Sequence, residues 1–201
     1  MTRAPRLIGL TQRVEEDARG ERRDMLDQRW GGFLEACSIA FVPLPNRLPA
    51  VQALAPLLKG VVLTGGGNLA ALGGHSPERD EVELWLIAEA RSGQWPLLGV
   101  CRGMQALTHA FGGCIVHTTG HVATTHMVRG PWGNRMVNSF HDFASTTAPA
   151  PLVPMAWTDD GVVEAVRHPD RPMAGLMWHP ERRPQPDPQD IALFRTLLEA
   201  S

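Results

Sequence analysis

The sequence contains no tyrosine, and Lys59 is its only lysine, so arginine supplies nearly all of its positive charge. Neither sign dominates, because 19 basic and 21 acidic residues leave a formal net charge of -2. A chain this close to neutrality has no overall field that would attract nucleic acid or an anionic membrane. We therefore expect its partner to be a small molecule held at a local site, with no nucleic acid and no membrane involved.

Long apolar runs are also absent. No segment reaches the ~18 apolar residues of a membrane span, and the N-terminus lacks the ~7–15-residue apolar core of a secretion signal. Three cysteines without a CxxC pair argue against a disulfide framework and leave at least one thiol free. The 201 residues are enough for one sizeable core. We expect a cytoplasmic protein with a single domain over residues 1–201, and homodimerisation is left open.

Short apolar runs alternate with segments of helical spacing in the first half of the chain. Buried parallel strands are predicted at residues 7–10, 39–44, 61–64 and 96–100, with helices at 24–36, 50–58, 79–92 and 102–111. The second half is predicted to contain short strands at 135–138, 154–157, 161–166 and 173–178, surface loops at 120–133 and 145–154, and a final helix at 187–200. This order of elements indicates an α/β fold.

Cys101 stands where the apolar run at 97–100 meets a predicted helix, in the pattern Gly-Val-Cys-Arg-Gly. Gly99 and Gly103 lack side chains where strand and helix must nearly touch, which lets the thiol protrude as in a nucleophile elbow. The dipole at a helix N-terminus favours the thiolate. Cys101 is therefore the candidate nucleophile, and the backbone N–H of Arg102 is a candidate oxyanion donor. The alternative is a buried structural thiol, the role expected for the other two cysteines.

The predicted strand at 61–64 ends in a run of three glycines, of which Gly66 and Gly67 are the last two. Parallel sheets bind ligands at the carboxyl ends of their strands, so this loop is expected beside Cys101. Gly66 or Gly67 can present a second backbone N–H to an oxyanion, a contribution worth about 3–4 kcal/mol in the transition state. A phosphate loop is the alternative, but the Gly-Lys-Ser/Thr ending of a P-loop is missing.

His179 and Glu181 follow the last predicted strand in the order Trp-His-Pro-Glu. An imidazole can take the proton of a thiol and pass it to a leaving amine, and a carboxylate on its other nitrogen fixes the tautomer. These residues are the candidate base and its orienting acid, although a histidine beside tryptophan is often only packed in a core. This scheme requires no metal and no cofactor.

These elements, in this order, resemble the class I glutamine amidotransferase superfamily, and most closely its γ-glutamyl hydrolase branch. The matching residues run from 60 to 181 and include Arg79-Asp80 with Glu83, residues 137–141, 160–164 and 178–181. The resemblance implies a flavodoxin-like three-layer sandwich with a mostly parallel central sheet, and hydrolysis of a γ-glutamyl amide through a glutamyl thioester on Cys101. It also implies substrate-binding roles for Gln105, Asn138, Ser139, Phe140 and His141.

The N-terminal stretch resembles a narrower group, the hydrolases of bacterial phosphoramidate capsule biosynthesis. These enzymes split γ-glutamyl-CDP-amidate into glutamate and cytidine diphosphoramidate. Residues 8–13, 21–24 and 27–30 carry this resemblance. Forked guanidinium donors suit a diphosphate, so substrate-binding roles are implied for Arg13, Arg22, Arg23 and Arg29. The alternative is a solvated helix start of mixed charge.

Two other functions fit parts of the pattern. The glutaminase subunit of a partnered amidotransferase would use the same residues but pass ammonia to another protein. A non-enzymatic binding or redox-sensing protein would keep the cysteine at the elbow. Such proteins usually lack the late histidine and carboxylate, and this chain has both.

Overall fold

A computed structural model describes residues 6–199, in which helices flank a large mixed sheet. The helices are α1 (Arg29–Ala36), α2 (Leu48–Leu54), α3 (Pro77–Ser92), α4 (Arg102–Ala110) and α5 (Pro188–Glu199). The strands are β1 (Leu7–Leu10), β2 (Arg13–Glu16), β3 (Arg22–Met25), β4 (Ala40–Pro43), β5 (Leu58–Leu63), β6 (Leu97–Val100), β7 (Val116–His117), β8 (Thr124–Gly130), β9 (Gly133–Ser139), β10 (Phe143–Ala144), β11 (Val153–Trp157), β12 (Val163–Arg167) and β13 (Met173–Leu176).

The large sheet has the strand order β4-β1-β5-β6-β13-β12-β11-β8-β9. Its first five strands are parallel to one another, and the remaining strands extend it in antiparallel fashion. Counted along the chain, the parallel strands lie in the order second, first, third, fourth, fifth, which is the flavodoxin-like order. The expected flavodoxin-like α/β architecture is confirmed.

Successive residues of the central strands face opposite layers. Val61 and Leu63 pack with the core formed by α2, α3 and α4, whereas Val62 packs with the core that contains residues of α1 and α5. Both sets are fully buried, as expected for parallel strands that are covered on both faces. The sheet is therefore the middle layer of a three-layer sandwich. No helix within residues 6–199 is long and apolar enough to cross a membrane.

The carboxyl ends of the parallel strands meet at one edge of the sheet. Thr11 follows β1, Thr64 follows β5 and Cys101 follows β6, while His179 lies three residues after the end of β13. The chain leaves β1 toward β4 on one side, and leaves β5 toward β6 on the other. This divergence creates the crevice in which doubly wound α/β proteins bind their ligands.

Two predicted segments are wrong. The helix expected at 24–36 begins at Arg29, because β3 pairs with β2 in an antiparallel hairpin that matches Arg13 with Met25. The loop expected at 120–133 contains β8, which pairs with β9 along its whole length. Val128 is the only buried residue of β8, so the strand shows too little apolar alternation to be recognised.

The other boundaries shift by a few residues. The helix expected at 50–58 ends at Leu54 and is followed by a 3-10 turn, so that Leu58 already belongs to β5. The helices expected at 79–92 and 102–111 are confirmed as α3 and α4. The final helix is confirmed as α5, although Ala200, its predicted last residue, lies outside the described residues.

Two glycine substitutions should change stability in opposite directions. A Cβ on Gly32 would meet nothing within 4 Å, so Gly32→Ala should raise the free energy of unfolding by about 1 kcal/mol through helix propensity. A Cβ on Gly103 would lie 2.1 Å from the carbonyl oxygen of Leu63, so Gly103→Ala should lower it by about 2–3 kcal/mol. Urea unfolding of both variants tests this, and equal shifts would contradict it.

Candidate active site

Cys101 occupies the sharp turn between β6 and α4. Its backbone angles are φ 53 and ψ -107, a combination that residues other than glycine rarely adopt. Its backbone N–H donates to the carbonyl oxygen of Leu176 at 2.7 Å, and its own carbonyl accepts from the N–H of Gln105 at 3.0 Å. These bonds hold the strained conformation in place. The result is the backbone geometry of a nucleophile elbow.

The two glycines around Cys101 allow this turn because the chain passes too close for a side chain. A Cβ on Gly99 would lie 2.4 Å from the carbonyl oxygen of Gly103, and one on Gly103 would lie 2.1 Å from that of Leu63. These contacts are with backbone atoms, which cannot rotate out of the way. The Gly-x-Cys-x-Gly spacing is thus required by the packing of α4 on β5 and β6.

His179 is held on both sides. Its Nδ1 lies 2.6 Å from Oε1 of Glu181, and both side chains are buried. Pro180 starts a 3-10 turn over residues 180–182, which folds Glu181 back onto the ring. Asn138 clamps the backbone of His179, since its side-chain amide donates to the carbonyl of His179 and accepts from its N–H, each at 2.8 Å. The orientation of the imidazole is therefore fixed.

Cys101 and His179 meet against the backbone of Gly65. A Cβ on Gly65 would lie 2.4 Å from Cε1 of His179 and 3.4 Å from Cβ of Cys101. Burial of His179 disfavours the imidazolium, but the charge and hydrogen bond of Cys101 and the carboxylate of Glu181 outweigh burial and raise the pKa of His179 to about 9. This environment favours the imidazolium form of His179 beside Cys101.

The glycine loop that follows β5 has an unusual backbone that is fixed from behind. Gly66 and Gly67 have φ angles of 92 and 71, which favour glycine. The guanidinium of Arg79 donates to the carbonyl oxygens of Thr64 at 2.6 Å and Gly66 at 2.7 Å. Because the N–H of a trans peptide points opposite to its carbonyl, the N–H of Gly67 points away from Arg79. The loop thus presents its N–H groups in a fixed orientation.

Arg79 belongs to a buried cluster of charges beneath this loop. Its Nε donates to Glu83 at 2.8 Å, and Glu83 also accepts from the hydroxyl of Thr11 at 2.8 Å. The side chain of Arg102 is buried and ion-paired with Glu83 and Asp80. Burial would raise the pKa of Glu83, but Arg102 and Arg79 outweigh it and lower that pKa. The cluster joins the glycine loop to the start of the helix that carries Cys101.

Gly65, Arg79 and Glu83 support the site, although no role for them is predicted from the sequence. Arg79 and Glu83 stand four residues apart, the spacing of a helical ion pair, but this spacing is typical of solvent-exposed helix faces. The two side chains are 1% and 0% exposed. Only the fold shows that they hold the loop.

The residues with expected substrate-binding roles differ in their exposure to solvent. Phe140 is 39% exposed and places its ring 5.7 Å from that of His179, with the guanidinium of Arg182 over the ring of Phe140 at 4.6 Å. Gln105 is buried, and its side-chain amide donates to the carbonyl of Phe143 at 2.9 Å. Phe140 therefore offers an exposed surface beside His179.

Ser139 and His141 depart from expectation because both face the protein interior. The hydroxyl of Ser139 donates to the carbonyl of His121 at 2.6 Å. Nε2 of His141 lies 3.2 Å from Oε1 of Glu164, and both side chains are 0% exposed. Consecutive side chains alternate in direction at the end of strand β9, so Phe140 faces outward between the buried Ser139 and His141. Direct contact of Ser139 and His141 with a ligand has no support in this geometry.

The four arginines with expected diphosphate-binding roles lie in different surroundings. The side chain of Arg13 covers Gly66, since a Cβ there would lie 3.1 Å from its Cδ. Arg22 lies beside the glycine loop, where it is paired with Glu16 and Glu78. Arg23 and Arg29 instead pair with acidic residues close to them in sequence.

Two cavities flank the glycine loop. The larger has a volume of about 720 Å³ and is lined by Glu16, Arg22, Gly67, Asn68, His75 and Ser76, among others. The smaller is a cleft of about 20 Å³ lined by Arg13, Gly65, Gly66, His179 and Glu181, among others. The loop therefore separates a cleft at His179 from a cavity large enough for a nucleotide-sized ligand.

Three comparisons with known proteins place the chain in a family. The family Glutamine amidotransferase class-I matches residues 35–199. The Gamma-glutamyl-CDP-amidate hydrolase of Campylobacter jejuni is 33% identical over 180 residues, which cover 87% of this chain and 90% of that protein. A glutamine-hydrolyzing GMP synthase subunit of Methanosarcina barkeri is 31% identical over 148 residues, covering 69% and 72% of the two chains.

The crystal structure of a glutamine amidotransferase from Thermotoga maritima superposes with a TM-score of 0.69 at 18% identity, covering 98% of this chain and 85% of that one. This likeness shows a shared fold. Together with the family match over residues 35–199 and the 33% identity to the Campylobacter jejuni protein, it confirms the resemblance seen in the sequence. The chain belongs to the class I glutamine amidotransferase family.

Proposed function

We propose that this protein is a cysteine-dependent γ-glutamyl amidohydrolase in which Cys101 is the nucleophile, His179 the base and Glu181 the acid that orients it. The observation that carries the proposal is the contact of Cys101 and His179 with the same point of the Gly65 backbone. The bond of 2.6 Å between His179 Nδ1 and Glu181 leaves Nε2 as the nitrogen that serves the thiol. Nucleophile, base and orienting carboxylate are thus assembled at one carboxyl edge.

The first half-reaction forms a thioester. The thiolate of Cys101 attacks the γ-carbonyl carbon of the glutamyl group, and the carbonyl oxygen becomes an oxyanion. The backbone N–H of Arg102, at the first position of α4, and that of Gly66 or Gly67 donate to this oxyanion. The C–N bond then breaks, the imidazolium of His179 gives its proton to the leaving nitrogen, and a glutamyl thioester remains on Cys101.

The second half-reaction releases glutamate. Neutral His179 takes a proton from water, and the resulting hydroxide attacks the thioester carbon. The C–S bond breaks, the thiolate of Cys101 is regenerated, and His179 holds the proton that it received from water. Glu181 stabilises the imidazolium in both halves without changing its own protonation. The three free thiols of the chain agree with a reducing compartment, and we place the reaction in the cytoplasm.

The substrate that we favour is γ-glutamyl-CDP-amidate, which would yield cytidine diphosphoramidate for capsule biosynthesis. The name of the Campylobacter jejuni relative supports this choice. The cavity of about 720 Å³ at Gly67 falls within the ~300–1,000 Å³ of ligand sites. Arg22 at its wall has forked donors that suit a diphosphate. Glu16 and Glu78 now hold this guanidinium, so a diphosphate would share it or replace them.

The second candidate function is a glutaminase subunit that passes ammonia to a partner protein. The similarity to a glutamine-hydrolyzing GMP synthase subunit favours it. The two functions differ in what controls turnover. A stand-alone hydrolase works at full rate without a partner, whereas a glutaminase subunit hydrolyses glutamine much faster once its synthetase partner is added.

Replacing the nucleophile should abolish hydrolysis. Cys101→Ala should release no glutamate from any γ-glutamyl amide, and His179→Asn should slow release roughly 10²–10⁴-fold through loss of proton transfer. Mass spectrometry of the reacting wild-type protein should find one added glutamyl group on Cys101. Cys114→Ala removes an exposed thiol and serves as the matched control, with activity near wild type. Substantial turnover by Cys101→Ala would refute the mechanism.

Replacing the orienting carboxylate should move the pH dependence. The rate needs His179 as the imidazolium, so it falls as pH rises through the pKa of His179, which Cys101 and Glu181 raise to about 9 against the effect of burial. Glu181→Gln removes one of these influences, so the alkaline limb of kcat/KM should move to lower pH. The loss in kcat should be smaller than for His179→Asn. Glu35→Gln, an exposed change on α1, should leave the limb in place.

The arginines should differ in their effect on a nucleotide-linked substrate. Arg22→Gln should raise KM for γ-glutamyl-CDP-amidate about tenfold or more, the usual effect of losing a hydrogen bond to a charged group. Glutamine turnover should change little. Arg23→Gln alters the neighbouring residue, which pairs with Asp17 and Glu21 away from the cavity, and should leave both KM values unchanged.

Salt provides a second test of the same contact. Screening acts on the charged leaving group and hardly on the glutamyl end, so rising salt should reduce the preference for the nucleotide-linked substrate. Equal kcat/KM for γ-glutamyl-CDP-amidate and simple γ-glutamyl amides would rule out a diphosphate site. The surviving function would then be that of a general γ-glutamyl hydrolase.

A further inference from the structure

Three histidines surround one buried carboxylate on the antiparallel side of the sheet. Glu164 on β12 is 0% exposed. Its Oε1 lies 3.2 Å from Nε2 of His141 and 3.7 Å from Nδ1 of His121, and its Oε2 lies 3.4 Å from Nε2 of His126. These residues come from three separate parts of the chain. The fold therefore brings three potential metal ligands together, His121, His141 and Glu164, with His126 beside the second oxygen of Glu164.

Several of the facing atoms lack a hydrogen-bond partner. Nδ1 of His121, Nε2 of His126 and Oε2 of Glu164 are buried and make no hydrogen bond within the described part of the chain, although each lies 3.4–3.7 Å from an ionic partner. A buried polar atom without a partner costs free energy, so such groups usually bind a ligand, a water molecule or an ion. Imidazole nitrogens and a carboxylate are the donor set that suits zinc and related divalent metals.

The spacing of these atoms fits one small cation. Tetrahedral zinc with bonds of ~2.0–2.1 Å holds neighbouring ligand atoms about 3.3 Å apart. The distances from the Glu164 oxygens to the three imidazole nitrogens are 3.2, 3.4 and 3.7 Å. One donor atom from each of His121, His141 and Glu164 lies within 4.8 Å of the others. To bind one ion, the donor atoms of His121, His141 and Glu164 would have to close from within 4.8 Å of one another to about 3.3 Å.

His121 also has the outer partner that a metal-bound histidine usually has. Its Nε2 lies 2.9 Å from Oδ2 of Asp160, which leaves Nδ1 to face Glu164. Asp160 is itself held by the hydroxyl of Thr158. A carboxylate behind the ring fixes the tautomer and makes the inner nitrogen a better ligand.

Charge balance points the same way. The ionic partners of Glu164 within residues 6–199 are all histidines, with no arginine or lysine among them. A buried carboxylate requires a compensating cation. Glu83, a second fully buried carboxylate, has two arginine partners. At Glu164 the positive charge comes either from a protonated histidine of the cluster or from a metal ion bound among the histidines.

We propose that His121, His126, His141 and Glu164 bind a divalent transition metal, with zinc as the best fit, at a structural site outside the hydrolytic reaction. β8 pairs with β11 at one position, Arg129 with Trp157, and β11 in turn pairs with β12. Backbone hydrogen bonds therefore link the β8–β9 hairpin to β12 only weakly, through β11. A metal would join His126 of β8 directly to Glu164 of β12. It would thereby steady the hairpin.

The site has a consequence for catalysis without taking part in it. Phe140, the residue before His141, contacts the ring of His179, and Asn138 at the end of β9 clamps the backbone of His179. Anchoring the hairpin would keep both in place. The metal is thus expected to support stability and the position of the base, whereas amide hydrolysis itself uses Cys101 and needs no metal.

Metal binding is tested on the Cys101→Ala protein, so that the catalytic thiol cannot bind the ion. After treatment with a chelator and dialysis, titration with Zn²⁺ against a chromophoric competitor should show one site per chain. Co²⁺ in its place should give the intense visible absorption of tetrahedral coordination, and Zn²⁺ should raise the midpoint of thermal unfolding. These measurements are independent of hydrolase activity, so their failure would leave the proposed catalytic mechanism untouched.

Two neighbouring aspartates provide a matched pair of variants. Asp160→Asn should weaken zinc binding roughly 10–100-fold, since Asp160 supports a ligand. Asp159→Asn, also exposed but paired with Arg129, should bind as the parent does. His141→Asn should weaken binding more than Asp160→Asn. Absence of a one-to-one site in the folded parent, or equal affinity in the Asp160→Asn, Asp159→Asn and His141→Asn proteins, would overturn the proposal.

Discussion

The backbone of Gly65 is the point on which the candidate active site depends, because Cys101 and His179 both pack against it. A side chain there would start 2.4 Å from the imidazole and 3.4 Å from Cβ of Cys101, so only glycine allows the two to converge. Three strand ends, those of β5, β6 and β13, bring these residues together. The parallel half of the sheet therefore determines the distance between nucleophile and base, and the loop between them is held from behind by Arg79.

The buried charges beneath the loop are better explained by their role in orienting the loop than by a contribution to stability. Taking Arg79, Glu83 and Arg102 out of water costs several kcal/mol per ion, and a well-packed apolar replacement of such a cluster is often at least as stable. Arg79 nevertheless directs its donors to the carbonyls of Thr64 and Gly66, and burial, opposed by Glu83, lowers its pKa only to about 10, so it remains charged at neutral pH. A fixed, water-free support of this kind is what an oxyanion site requires, since its donors must be oriented before the reaction begins.

The sequence predicts features that lie within a short segment, and it misses those that depend on the direction of a side chain or on long-range strand pairing. Cys101 stands between two glycines of one continuous segment, and His179 and Glu181 are two residues apart, so their surroundings are visible in a few letters. Arg22 and Arg23 are adjacent, yet alternation on β3 sends them to different partners, and no strand is predicted there from the sequence. The cluster of three histidines and Glu164 spans 44 residues of the sequence, from His121 to Glu164. No periodicity links them, because only the pairing of β8 with β9 and their approach to β12 bring them together.

The two halves of the sheet therefore have different parts in the same site. The parallel half places Cys101, the glycine loop and His179 at the ends of β5, β6 and β13, whereas the antiparallel half adds the Asn138 clamp on the backbone of His179 and the ring of Phe140. Any motion of the β8–β9 hairpin relative to the core would move the base relative to the nucleophile. The backbone contact that limits this motion is small, since β8 meets β11 at one register position. Because reaction rates depend steeply on the placement of the reacting groups, an additional tie between hairpin and core at Glu164 would help to fix the position of His179.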